Sequence, residues 1–322
     1  MTLIYITIFF ILFACILTHS EISLYYALSG LNLWYNKMVP ALLPFMILSS
    51  IMIRMKLTEK FASLFYPIIH PIFKVSKNAC YAIVLGFLCG FPMGAKVIGE
   101  LYQNQMINKR EGEFLLAFCN NIGPVYFCSF VLPLLHRKLL LPYLLGMYGI
   151  PLFYGWILRN TKYRDLDMLF NSSSIHSTDL AICSSNSSKM LDKSTKTYGN
   201  ILEHIDGAVH TSLQSILALG GYMILFNILN LLPHVLLGTS IPILAPILEI
   251  TSGLSVLKDT LPVYTLIILP FGGLSCIAQT YSCIQNTPLS ISKYVLHKII
   301  LTSFTAAYYL LWYLLSPNGF LR

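Results

Sequence analysis

The chain has 322 residues, of which 56% are hydrophobic and only 11% charged, and its mean hydropathy is +0.69. Ordinary globular domains carry about 25% charged residues, so the composition excludes a soluble domain and predicts an all-α integral membrane protein. The net charge of +8 does not point to nucleic acid, because no basic stripe is interleaved with aromatics and the basic residues gather in loops on one side.

Taken in order, the N-terminal run Thr2–Thr18 is apolar, carries no preceding basic residue and is followed by no small-residue cleavage site. It reads as a slightly short first span rather than a signal peptide. Further spans are expected at Val39–Met55, Phe114–Leu135, Leu139–Leu158, Ser212–Leu236 and Tyr294–Leu315. Tyr81–Tyr102 and Leu261–Ile284 are long enough but are broken at their centres by GFPMG and PFGG. Each is expected to form a re-entrant helical hairpin, giving about six transmembrane helices plus two hairpins.

Internal similarity supports a duplication. Ala41–Met52 against Ala218–Leu229 shares six of twelve residues, and Pro67–Ile72 against Pro242–Ile247 shares four of six. Tyr81–Ala95 then aligns with Tyr264–Ala278, in the same order. The expected organisation is an N-terminal helix and interfacial segment over 1–38, a first repeat over 39–159, a flexible cytoplasmic linker over 160–210 and a second, inverted repeat over 211–322. With both broken segments as hairpins, fourteen basic residues fall on one face and five, including Lys293, on the other. That asymmetry places both termini in the cytoplasm, Asn104 inside and Asn286 outside.

Candidate site residues lie in the breaks. Lys96 follows GFPMGA inside an apolar run, where an unpaired ammonium is costly and ionisable groups are functional by default. A pair with Glu100, one turn on, or snorkelling to the interface are the competing readings. The residue at the equivalent offset in the other half is Gln279, with Thr280 beside it. Gly90, Pro92 and Gly273 mark the breaks, although glycines also serve close helix packing. Asn120, Asn121, Gly123 and Pro124 interrupt the fourth apolar run, since proline removes a donor and frees nearby carbonyls. Glu249, Thr251 and Ser252 form a further polar break, in which Glu249 would either bind a cation or proton or sit at an interface. His297 and Lys298 are expected to reach toward headgroups. Eight cysteines form no CxxC pair and no zinc spacing. Phosphate loops, GxSxG and HExxH are absent, so neither a cofactor, a metal nor an enzymatic activity is expected.

GFPMGAK, EGEFLLAFCNNIGPVYF, LEITSG and PFGGLSCIAQT resemble the sporulation integral membrane proteins of the YlbJ type. These fall in the nucleoside-recognition or Gate group, which is similar to concentrative nucleoside transporters. The resemblance runs from about Trp34 to Leu315, the linker aside, and the last span lacks an Asn-Asn-x-Gly-Pro break. It implies inverted repeats that each pair a re-entrant hairpin with a broken helix. It also implies a transporter of dipicolinic acid, a small anionic metabolite, in the mother-cell membrane around the forespore. The residues leave open an ion-coupled carrier of nucleosides or another metabolite, and a non-transporting sporulation scaffold. Partners are the bilayer and the metabolite, with self-association into a homo-oligomer left open and no nucleic acid.

Overall fold

The computed structural model describes residues 2–135, 140–166, 193–258 and 260–315, and every regular element among them is a helix. Helix α1, Thr2–Thr18, coincides with the first apolar run. Helix α2, Ser20–Arg54, continues for 35 residues through a π-type stretch at Trp34–Met38. The interfacial segment expected before residue 39 is therefore the first part of this long helix. Short helices α3 (Thr58–Ala62) and α4 (Tyr66–Phe73) follow. The chain then turns by 101° into α5, Lys77–Cys89. Arg159 fixes that corner from afar. Its buried guanidinium donates to the carbonyls of Phe73 and Tyr163, each at 2.7 Å, satisfying acceptors that the end of a helix leaves open.

Helices α5 and α6 (Met93–Gln103) form the first expected hairpin. Asn78, at the start of α5, donates to the Met106 carbonyl just beyond the end of α6, so the two arms run antiparallel and share a base. Helix α7, Lys109–Phe118, rises from that base: the Ser76 N–H bonds Glu111 at 2.9 Å. After a break at 119–123 the chain continues as α8, Pro124–Leu135. Helix α9, Leu141–Asn160, returns to the base, where Arg110 meets Asp165 at 3.1 Å.

The second half opens with α10, Lys193–Ile228. Of the expected linker, residues 167–192 lie outside the described residues, and residues 193–210 are helical. Arg54 bonds Thr211, and the Trp34 indole bonds the Ile216 carbonyl, so α10 runs antiparallel to α2. Helix α11, Leu231–Leu237, ends at Gly238. Next, α12 (Ala245–Leu248) folds back on α13 (Ile250–Leu257). Gly253 makes this turn feasible, because a Cβ there would stand 2.1 Å from the Pro246 nitrogen. Helices α14 (Pro262–Ile268) and α15 (Gly273–Ile284) then make one interrupted 23-residue crossing. Helix α16, Ile291–Leu315, completes the chain.

Five helical stretches among the described residues are long and apolar enough to cross a membrane: Ser20–Arg54, Leu141–Asn160, Ile201–Leu237, Pro262–Ile284 and Ile291–Leu315. The bent pair α4–α5 would make a sixth if it counted as one span, and Pro124–Leu135 is apolar but shorter. Two fold-backs are present, as expected, but the second lies at Ala245–Leu257 and not at 261–284. The paired glycines that suggest a hairpin tip there instead interrupt a span. This relocation changes the topology. Asn286 now lines the same cleft as Gln103, Gln105 and Lys109, and Lys293 bonds Glu113 at 2.7 Å. The start of α16 thus shares a face with the base of the first hairpin, and its end at Leu315 points to the other. The expectation of Asn104 and Asn286 on opposite faces fails, and with it that of a C-terminal helix returning to the face of Arg54.

Cysteines placed singly at Asn104 and Asn286, in a protein lacking its own cysteines, should both react with a membrane-impermeant thiol reagent from the same side. Labelling from opposite sides would show that residues 262–284 do not cross.

Candidate functional site

The break between α7 and α8 originates in two residues. Gly123 precedes Pro124, and a residue before proline is pushed out of the helical region; Gly123 is accordingly extended, with φ −80° and ψ 152°. Pro124 takes the first position of α8, where a missing N–H costs nothing. Carbonyls at the end of α7 are left without helical partners in the protein interior. Lys298 of α16 supplies one. Its ammonium donates to the Asn120 carbonyl and, at 3.0 Å, to Asn121 Oδ1, and it stands 4.3 Å over the Phe91 ring. Asn120 is held on all sides: its amide donates to Thr280 Oγ1 at 3.0 Å and Tyr294 Oη at 3.1 Å, and its Oδ1 accepts from the Ala95 N–H at 3.3 Å. Lys298 is 1% exposed. Desolvating an ammonium costs several kcal/mol, and only neutral acceptors and ring faces surround it here.

The hairpin tip docks on this break through its backbone. Gly90, at φ +81°, would place a Cβ 2.3 Å from the Gly123 nitrogen, so only glycine meets both the conformation and the space. The other fold-back meets the other break in the same way: the Gly273 position faces the Pro246 and Ile247 carbonyls. The two systems also touch each other. Phe91 packs on Gly272, and the Tyr126 hydroxyl lies 3.3 Å from Thr251 Oγ1. Both tips and both breaks therefore converge at one level.

A narrow cavity, with about 70 Å³ of room for a water-sized sphere and partly open to the outside, lies at this convergence. Its wall is mostly apolar, with Phe91, Tyr126, Leu219 and Met223, and its polar groups include Glu249, Thr251 and Gln279. Glu249 is 1% exposed and caps α13, its two oxygens accepting from the Thr251 and Ser252 N–H groups at 3.1 and 2.7 Å. Backbone N–H donors at a helix start favour a carboxylate.

The sequence-derived residues divide into three groups. Gly123, Glu249, Thr251 and Gln279 line the cavity. Gly90, Asn120, Asn121, Pro124, Ser252, Gly273 and Thr280 build the tips and breaks around it, as does Pro92, whose peptide bond with Phe91 is cis. Lys96 belongs to neither group. It bonds Glu100 at 2.5 Å and Ser215 at 3.3 Å, while Ser50 donates to Glu100 at 2.6 Å. The i,i+4 pair anticipated as its structural alternative is formed. Gln279 bonds Ser275 and shares no partner with Lys96.

Lys298 and His297 correct the expectation of headgroup contact, being 1% and 3% exposed. Lys298, Tyr294, Tyr126 and Phe91 are the site residues that the sequence reading did not single out. A lysine eight positions into an apolar helix was the available signal. At the base, the Arg110 hydrogen bond holds Asp165 below the usual carboxylate range. Among the described residues, no three His, Cys, Asp or Glu side chains gather closely enough to hold a metal ion.

Residues 36–140, which contain the first hairpin and the break beside it, match the Gate family model, described as nucleoside recognition. Over 342 aligned positions the chain is 26% identical to the sporulation integral membrane protein YlbJ of Bacillus subtilis (strain 168). That alignment covers 97% of this chain and 83% of the relative. No solved structure matches.

Gly90→Ala should lower the melting temperature of the detergent-solubilised protein more than Gly238→Ala. Both positions have positive φ, but nothing lies within 4 Å of a Cβ at Gly238. Backbone strain of about 1–2 kcal/mol is common to both; overpacking of about 1–3 kcal/mol is added only at Gly90. Equal melting temperatures would mean that the tip does not dock on the Gly123 backbone.

Proposed function

We propose that this protein is a membrane carrier which moves a small, flat, carboxylate-bearing metabolite by alternating access, and that in a spore-forming cell the substrate is dipicolinate. One observation carries the reading: two fold-backs and two interrupted helices meet around a single cavity. Interrupted helices are tolerated at membrane depth only where protein or a water-filled cavity satisfies their backbone groups, and in carriers such breaks surround the substrate. The similarity to a sporulation membrane protein supports the cellular setting, with the substrate class drawn from the resemblance described above. The two halves would then be inverted repeats, each pairing a fold-back with a broken helix.

The cavity has features suited to such a substrate. Phe91 and Tyr126 offer ring faces to a flat molecule. Lys298, 4.3 Å from the Phe91 ring, supplies positive potential from within the frame. Glu249 opposes a dianion. A carboxylate of the protein facing carboxylates of the substrate in a poorly solvated cavity favours uptake of a proton, so entry of the dianion should be coupled to protonation of Glu249. The face bearing Arg54, Lys77, Lys109 and Arg110 is assigned to the cytoplasm. Lys293, now on that face as well, adds to the excess of basic residues there.

A second reading keeps the fold and exchanges the cargo for a nucleoside, favoured by the Gate description of residues 36–140. The same assay separates the two. Liposomes holding the purified protein should take up labelled dipicolinate, faster with an inward proton gradient and undiminished by excess nucleosides. Lys298→Met should cut the flux by at least about tenfold, equivalent to 1.4 kcal/mol. Glu249→Gln should keep flux but lose the response to the gradient. No dipicolinate uptake by the unmodified protein removes this substrate, and uptake of nucleosides in its place moves the assignment to the second reading. A scaffold would transport neither.

A further inference from the structure

The cavity at the convergence has a mouth, and the depth of that mouth limits what can fill it. The exposed residues of its wall lie on three helices: Phe45 of α2, Leu88 of α5, and Val125 and Ser129 of α8. Leu219 and Met223 of α10, deeper in the wall, are 3% and 1% exposed. The mouth is therefore a window between α2, α5 and α8. Phe45 stands nine residues before Arg54, where α2 ends, and Leu88 stands eleven residues beyond Lys77, where α5 begins. At about 1.5 Å per residue, both lie roughly 15 Å from the face that carries those two charges. That is the middle of a hydrocarbon core about 30 Å thick. Val125 shares the level, two residues past the Gly123 that receives the hairpin tip.

Nothing at the window holds water. Phe45, Leu88 and Val125 are apolar and 44%, 50% and 51% exposed. Ser129, the polar member of the rim, donates its hydroxyl to the Val125 carbonyl at 2.6 Å. Farther in, Glu249 accepts from two backbone N–H groups, Tyr126 donates to Thr251, and Gln279 donates to Ser275. The polar groups of the wall thus already have protein partners. A column of water reaching this window would have to stand in hydrocarbon, and a void would forfeit the contacts of every side chain that lines it. The end of a hydrocarbon chain meets neither objection, because it asks for no hydrogen bond and is already present at that depth. No hydrophobic force drives it out of lipid, which is as apolar as leucine. What favours its entry is the packing of an otherwise empty space, one narrow enough for the terminal methylenes of a single chain and not for a whole lipid.

We propose that an acyl chain of a bilayer phospholipid enters through the window framed by Phe45, Leu88 and Val125 and seats its end against Leu219 and Met223. Its role as a plug that the cargo must displace rests on the carrier reading; the seating itself involves no cargo. A phospholipid with a diazirine near the methyl end of one acyl chain tests it, in nanodiscs of phosphatidylethanolamine and phosphatidylglycerol. Labelled residues are located by mass spectrometry after irradiation. Leu217, 60% exposed on α10, reports lipid against the outside of the protein. In the unmodified protein the label should reach Leu219 and Met223 as well as Leu217. Leu88→Trp should narrow the window and cut the inner label at least about fivefold, the low end of an overpacking penalty, with Leu217 unchanged. Phe45→Ala should widen the window and raise the inner label. Label at Leu217 without label at Leu219 and Met223 means surface lipid only and overturns the proposal, as does an inner label that neither substitution alters. Inner label without dipicolinate flux would sink the carrier reading and leave the lipid site standing; flux without inner label would do the reverse.

Discussion

Every unusual feature of this protein follows from carbonyls and N–H groups that an interrupted helix exposes away from water. Lipid offers them nothing. The break at 119–123 is therefore enclosed by protein on each side: the hairpin tip at Gly90, the Lys298 ammonium, and an Asn120 side chain with three partners. These contacts come from α6, α15 and α16, three helices from two halves of the chain. Interrupting α7 thus obliges distant segments to assemble in one place. The cavity lies where that assembly leaves a gap.

The second half meets the same obligation differently. Its fold-back is much shorter, and its tip carries a carboxylate where the first hairpin has Phe91 and Pro92, with Glu249 closing the N-terminus of α13. The cavity consequently has unlike charges on its two sides, Lys298 behind Phe91 and Glu249 in the opposing wall. On the proposed carrier reading, these unlike charges would give the binding place a direction.

Much of the first half was legible in the chain itself. GFPMG and NNIGP sit inside apolar runs, and glycine and proline act on the backbone wherever they occur, so hairpin and break could be placed from local chemistry. The second half was misread for a related reason. PFGG carries the same glycine signal as GFPMG, but a glycine break does not say whether the chain turns back or goes on. That choice is made by neighbours: here the turn at Pro246–Glu249 occupies the position against Gly273. Lys298 was missed because snorkelling depends on where its helix enters the membrane, and that entry point followed from the misread crossing before it. Lys96 was overvalued although its partner Glu100 stood one turn away in the sequence.

The tips rest on the breaks through main-chain atoms, Gly90 against Gly123 and Gly273 against the Pro246 and Ile247 carbonyls. Such joints specify almost nothing about the side chains that face the cavity between them. Leu219 and Met223 face the cavity without taking part in those joints. Frame and cavity lining thereby rest on different residues: one set of glycines maintains the frame, and on the proposed carrier reading a different set of side chains would decide the cargo. Relatives with this frame need not share a substrate, and selectivity should be retunable by altering the cavity's side chains without redesigning the membrane fold.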